Sequence, residues 1–197
     1  MKETIEIPTL KLIKFSTAFQ KPKNKEDSFE FLTKHYPCKI LDIFDTVLEI
    51  NSEEIKLLDS SYFRLISEEK YLKFIVEVFQ ENGSLCCVNI EAFKNANYEF
   101  IVDVSNKLDS VDRYILLNQL STITSSSQSF YLVDDENLLK MLFKCILREL
   151  VPMELYFNVK PLAIFSNYDL SIPIFFKDEK DIKYYLNMAE RNALYLR

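Results

Sequence analysis

One glycine in 197 residues constrains this chain more than any other feature. With almost no glycine, turns and helix ends must draw on Asn, Asp, Ser and Pro. Glycine-rich phosphate loops, whether P-loop or dinucleotide fingerprint, are excluded, because they need a backbone without Cβ beside the phosphates. The single glycine, Gly83, follows Asn82 in "FQENGSLCCVNIEAF" (79–93). Asn-Gly between two apolar runs predicts a β-hairpin. The run before it, "YLKFIVEVF" (71–79), puts Leu72, Phe74, Val76 and Val78 on one face of a strand. The returning run, 85–93, puts Cys86, Val88, Ile90 and Ala92 on one face and Cys87, Asn89 and Glu91 on the other. The adjacent cysteines then point to opposite sides of a sheet, Cys86 apolar and Cys87 polar, and cannot jointly grip a metal.

Around this hairpin the pattern alternates between strands and helices. Thr4–Ser16 reads as a strand, 20–27 as a loop and Ser28–Tyr36 as a short helix stopped by Pro37. Residues 38–50 fit strand or helix, with strand preferred for the centre; Asn51 and Glu54 form a capping box for a helix over 52–60. Residues 97–104 fit either element, 110–120 read as a helix and the Ser-rich 121–129 as a loop. "FYLV" (130–133) is a strand, and 134–150 is the clearest helix, capped by Asp134 or Asp135 and stopped by Pro152. Three short strands (153–159, 162–167, 170–176) and a closing helix (177–197), with a last strand in "ALYLR", complete the chain. The expected fold class is α+β: a mixed, mostly antiparallel sheet including a 71–93 hairpin, with helices packed on it. One domain over 1–197 is expected, with sub-lobes of 1–120 and 130–197 as the alternative division.

Charge is uneven along the chain. Basic and acidic residues number eight and five in 1–41, four and ten in 42–81, and twelve and fifteen in 82–197. The net charge of −6 offers no field for nucleic-acid phosphates. The lysines at 11, 14, 21, 23 and 25 read as a solvated face, and the acidic middle could attract a basic partner. No stretch approaches the roughly 20 apolar residues that span a bilayer, and the N-terminus lacks an uninterrupted signal core. A cytoplasmic location is expected, with Cys38, Cys86, Cys87 and Cys145 reduced.

Chemistry is limited by one histidine, His35, which excludes multi-histidine zinc sites. At a helix C-terminus it reads as a cap; Cys38 would be its partner in a Cys-His pair. Asp42 with Asp45, or Asp134 with Asp135 and Glu136, could hold a hard cation but are explained without one. The Glu54–Lys56, Glu68–Lys70 and Asp178–Lys180 pairs are what a chain this charged contains anyway. No catalytic residue, metal or cofactor is therefore assigned. The expectation is a non-catalytic protein-interaction module, of the immunity or antitoxin kind. It would bind a protein partner through an acidic and aromatic surface of Asp42, Asp45, Glu49, Glu53, Tyr168 and Asp169. The alternative is a small-ligand binder or enzyme with a pocket lined by Tyr and carboxylates.

Overall fold

Residues 71–79, expected as a strand, are the C-terminal half of a 21-residue helix in the computed structural model, which describes residues 8–13, 17–20, 27–49, 52–125 and 129–197. The run satisfies two periods at once. Tyr71, Phe74, Ile75 and Val78 recur at helical spacing and are fully buried, while Val76 of the alternating set is only half-buried. Ser60 caps the helix by accepting from Phe63 N–H, and the helical set prevails. Gly83 keeps its positive φ of 70° but ends a helix rather than turning a hairpin. Ser84 N–H donates to Phe79 O at 2.9 Å and Gly83 N–H to Gln80 O at 3.1 Å, the paired bonds of a Schellman cap.

In chain order the elements are β1 (Lys11–Leu12), α1 (Ser28–His35), β2 (Cys38–Asp42), α2 (Ile55–Leu58), α3 (Ser61–Glu81), β3 (Cys86–Asn89), α4 (Glu91–Lys94), α5 (Tyr98–Asn106), α6 (Ser110–Ser125), β4 (Phe130–Val133), α7 (Glu136–Leu147), β5 (Glu154–Phe157), β6 (Leu162–Phe165), β7 (Ile172–Phe176), α8 (Glu179–Arg191) and β8 (Tyr195–Leu196). The strands form one sheet in the order β1-β4-β3-β5-β6-β7-β2-β8. Every pairing among the described residues is antiparallel, so the α+β class holds while the expected parallel component is absent. Strands from before residue 120 (β1, β3, β2) are interleaved in the sheet with strands from after 129 (β4, β5–β7, β8). The expected hairpin partner of β3 is replaced by β4 and β5. Residues 97–104 are helical, and the helix of 110–120 runs on to Ser125. Of the expected strand 4–16 and the lysine cluster, residues 1–7, 14–16 and 21–26 lie outside the described residues.

The sheet is covered on both faces. Leu155, Phe157, Leu162, Ile164, Ile172, Ile174 and Phe176 join a large core with α3, α7 and α8. The alternate residues Tyr156, Ala163, Phe165 and Phe175 meet Phe19, Phe31 and Leu32 on the other side. Cys86 and Cys87 do point to opposite faces, but Cys87 is buried in this second aromatic cluster rather than on a polar surface. Each fully buried Phe contributes about 2 kcal/mol of burial. At the end of α3, buried Asn82 accepts from Val159 N–H (3.0 Å) and Lys160 N–H (2.8 Å), fixing the β5–β6 turn.

The glycine shortage leaves non-glycine residues in left-handed conformations. Glu149 (φ 56°) and Ala193 (φ 53°) occupy the position after the caps of α7 and α8, where glycine is usual, at a cost of roughly 1–2 kcal/mol each. Leu150 N–H reaches back to Cys145 O and Leu194 N–H to Ala189 O, which close the two Schellman caps.

Candidate interaction surface

The acidic segment is organised at one corner, where the end of β2 meets the start of α3 and the turn before β7. Asp42, at the end of β2, is 2% exposed. Its carboxylate accepts from Ser171 Oγ at 2.7 Å and Phe44 N–H at 3.0 Å, and it pairs with the Arg197 guanidinium. The Tyr71 hydroxyl donates to Leu170 O beside this pair. Burial, and after it the Asp42 charge, raise that hydroxyl well above its ordinary pKa. Asp42 is therefore a structural anchor and presents no contact surface, unlike the outer role expected of it.

Arg64, on the first turns of α3, holds the corner together. Its Nε donates to Leu58 O at the end of α2. Its other nitrogens lie 3.4 Å from Glu149 Oε1 and 3.8 Å from Asp169 Oδ1. Glu149 also accepts from Asp169 N–H at 3.0 Å, and Asp169 and Leu170 both have positive φ. The turn carrying Tyr168, which is 70% exposed, is thus pinned against α3. Phe44 stacks on Phe63 at 5.8 Å and brings the segment after β2 to the same place.

The expected site residues accordingly separate. Asp45, Glu49, Glu53, Tyr168 and Asp169 are exposed; Asp42 is not. Three acids that the sequence reading left aside, Glu54, Asp59 and Glu69, are exposed as well. None of Asp45, Glu49, Glu53, Glu54, Asp59 and Glu69 has an ion-pair partner among the described residues. Beside them stand Val47, Leu57, Tyr62, Leu65 and Ile66, with Tyr62 and Leu65 73% and 58% exposed. The sequence hides this row: with 71–79 read as a strand, nothing marks residues 61–69 as the first half of a 21-residue helix.

Along α3 the surface continues into an open groove of about 530 Å³, lined by Glu69, Leu72, Lys73 and Val76 with Lys140 and Lys144 of α7. The α7 lysines are already engaged. Lys140 pairs with Glu136, and Lys144 bridges Asp112 and Asp109. The backbone N–H of Asp112, with the Lys144 ammonium, holds the Asp109 carboxyl below its usual range, while burial raises that of Asp112.

The remaining candidates do not assemble. The His35 ring bonds Phe31 O at 2.8 Å and stacks on Phe31, and no hydrogen bond joins it to Cys38. Asp134 pairs with Lys11, and Asp135 caps α7 by accepting from Leu138 N–H at 2.9 Å. Among the described residues no group of three His, Cys, Asp or Glu side chains is placed to hold a metal ion. A carboxylate pocket does exist elsewhere. Glu154 accepts from the Tyr156 hydroxyl at 2.7 Å and lines a depression of about 240 Å³ with Asp27, Phe29, Glu91 and Phe165. Burial raises the Glu154 carboxyl and the Tyr156 hydroxyl above their ordinary values. Nothing in the local sequence marks Glu154, because Asp27 and Glu91 reach it only through the fold.

No helix among the described residues is long and apolar enough to cross a membrane. No protein-family model, curated protein or solved structure matches the chain.

Proposed function

We propose that this protein is a non-catalytic interaction module that binds a basic protein partner through the corner formed by residues 45–49, 52–69 and Tyr168. One observation carries the reading: six exposed carboxylates without ion-pair partners among the described residues adjoin exposed Val47, Leu57, Tyr62, Leu65 and Ile66. Free charges of one sign speed encounter, and aromatic and aliphatic side chains supply the buried contact. Neutralising or regulating such a partner, in the manner of an immunity or antitoxin protein, is the role that suits it. The buried thiols of Cys86 and Cys145, neither in a disulfide, suit a reducing compartment, hence the cytoplasm. The test is photo-crosslinking in cells from a probe at Tyr62, with a probe at Tyr98 on α5 as the control. The reading expects a basic protein captured from Tyr62 alone, with affinity falling as salt rises. Equal capture from both positions, or salt-independent binding, counts against it.

A second reading rests on the Glu154 depression. A half-buried carboxyl hydrogen-bonded to a Tyr and walled by Phe29 and Phe165 suits a small ligand with a hydrogen-bonding head and an apolar body. Chemical-shift changes confined to this depression on titrating a small-molecule library would support it; shifts confined to the α3 corner would not.

A further inference from the structure

We infer that the outer face of α3 seats a cationic amphipathic helix of the partner, an inference that rests on the corner being the partner surface. Helix α3 carries two apolar stripes. The inner one, Tyr71, Phe74, Ile75 and Val78, is saturated by the core. The outer one is Tyr62, Leu65, Glu69, Leu72 and Val76, at alternating spacings of three and four residues, apolar except at Glu69 and reaching into the core at Leu72, which is 7% exposed. That is the spacing by which one helix receives the side chains of another. On its first turns Tyr62 and Leu65 remain exposed, and Ile66, 44% exposed, widens the row. Through Glu69 the row leads into the groove floored by Leu72 and Val76. From Tyr62 to Val76 the seam runs about 21 Å at the helical rise, room for four turns of a partner helix.

A helix suits this seat better than a strand, since α3 offers no free backbone hydrogen bonds along its length and presents only side chains at helical spacing. The sign of the partner follows from the charges. Among the described residues Glu69, in the middle of the seam, and Glu53, Glu54 and Asp59, at its beginning, have no ion-pair partner. They outnumber Lys56, Lys70 and Lys73, the cations of α2 and α3 that have none either among those residues. The lysines of the far rim are neutralised by Glu136, Asp109 and Asp112. The occupant therefore places apolar residues over Leu65 and Leu72 and Lys or Arg over Glu69 and the α2 acids.

Fluorescence anisotropy with the whole protein and three synthetic peptides tests this. One peptide is an amphipathic Leu/Lys helix; one has the same composition in shuffled order; one carries Glu in place of Lys. The ordered basic peptide is expected to bind and the other two to bind at least tenfold more weakly. Leu65→Ser with Ile66→Ser, and separately Glu69→Lys, are each expected to weaken the ordered peptide about tenfold. Val111→Ser, at an exposed position on α6, leaves it unchanged. These side chains lie in solvent, so circular dichroism should show the variants folded. If the shuffled peptide binds equally well and only Glu53→Gln with Glu54→Gln weakens it, the helix seat is overturned while the acidic partner surface stands. If neither basic peptide binds, both fall. If light scattering finds a dimer that Leu65→Ser dissociates, the occupant is a second copy and the inference is overturned.

Discussion

Asp42 and Asp45 are three residues apart, yet one is buried against a guanidinium and the other stands in solvent. The whole acidic segment divides this way. Of ten acids between 42 and 81, four are held: Asp42 by Arg197, Glu68 by Arg148, Glu77 by Arg191 and Glu81 by Lys160. The other six have no ion-pair partner among the described residues. Held charges fasten distant elements to one another and lend little to the outer field. Free charges do the reverse, costing the fold almost nothing and remaining available to a partner. A net charge for the segment hides this split.

The largest effect should come from breaking the one pair among the described residues in which a guanidinium grips a buried carboxylate through two nitrogens. Two of the three Arg148 side-chain nitrogens, Nε and Nη2, donate to the Glu68 carboxylate at 2.7 Å, and the Glu68 side chain is 8% exposed. Arg148→Met strands that carboxylate and should cost about 3 kcal/mol of unfolding free energy in urea titration. Glu68→Leu combined with Arg148→Met should recover most of the loss, because no buried charge remains unpaired. A double variant no better than the single one would erase the distinction between held and free acids.

Asp42→Asn should come next. It keeps the shape but removes the charge that Arg197 and Ser171 address, at a cost of about 2 kcal/mol. The loss should also release the last strand, β8, which lies against β2 through Leu41 and Asp42. Faster amide exchange at Ile40 and Arg197, whose backbones bond each other at 2.8 and 3.0 Å, would report it. Unchanged exchange there would make the Asp42 pair ornamental.

Neither partnership could be read from the sequence. Asp42 and Arg197 are 155 positions apart and Glu68 and Arg148 are 80, so only the finished topology shows which acid meets a cation. The C-terminal half was far more legible. Its strands are short apolar runs bounded by Asn, Asp and Pro, and α7 carries an unmixed helical stripe with its cap. The misreading of α3 has a physical source in Leu72, Phe74, Val76 and Val78, an alternating set embedded in a helical one. Asn-Gly deepened the error, since a helix cap and a hairpin turn ask the same positive φ of Gly83. The exposed row Tyr62, Leu65 and Ile66 was lost with it.

Glu154 tests a third condition, a half-buried acid bonded by a hydroxyl rather than held by a cation. Burial raises its folded pKa, so the folded state holds this proton more tightly than the unfolded chain does. The stability it contributes is present below the unfolded value and lost as pH rises through the folded one. Glu154→Gln should therefore gain melting temperature over the parent at neutral pH, and the gain should shrink as pH falls into the carboxylate range. An offset that is constant with pH would show that Glu154 is not titrating in the fold.

The smallest effect on the fold is expected where the effect on binding is greatest. Glu53→Gln, Glu54→Gln and Asp59→Asn together remove three of the free charges. Surface carboxylates without partners contribute little, so the unfolding free energy should move by no more than about 0.5 kcal/mol. Association with a basic partner is another matter. Steering depends on the summed field, so the on-rate should fall several-fold at low salt and the difference should fade as salt screens it. Stopped-flow rates across a salt series, set beside the urea titration of the same variant, read both quantities. Low-salt on-rates equal to those of the parent would leave the six free acids with no part in association. A large loss of stability would instead move them among the held ones, and the contrast between Asp42 and Asp45 would no longer extend to the segment.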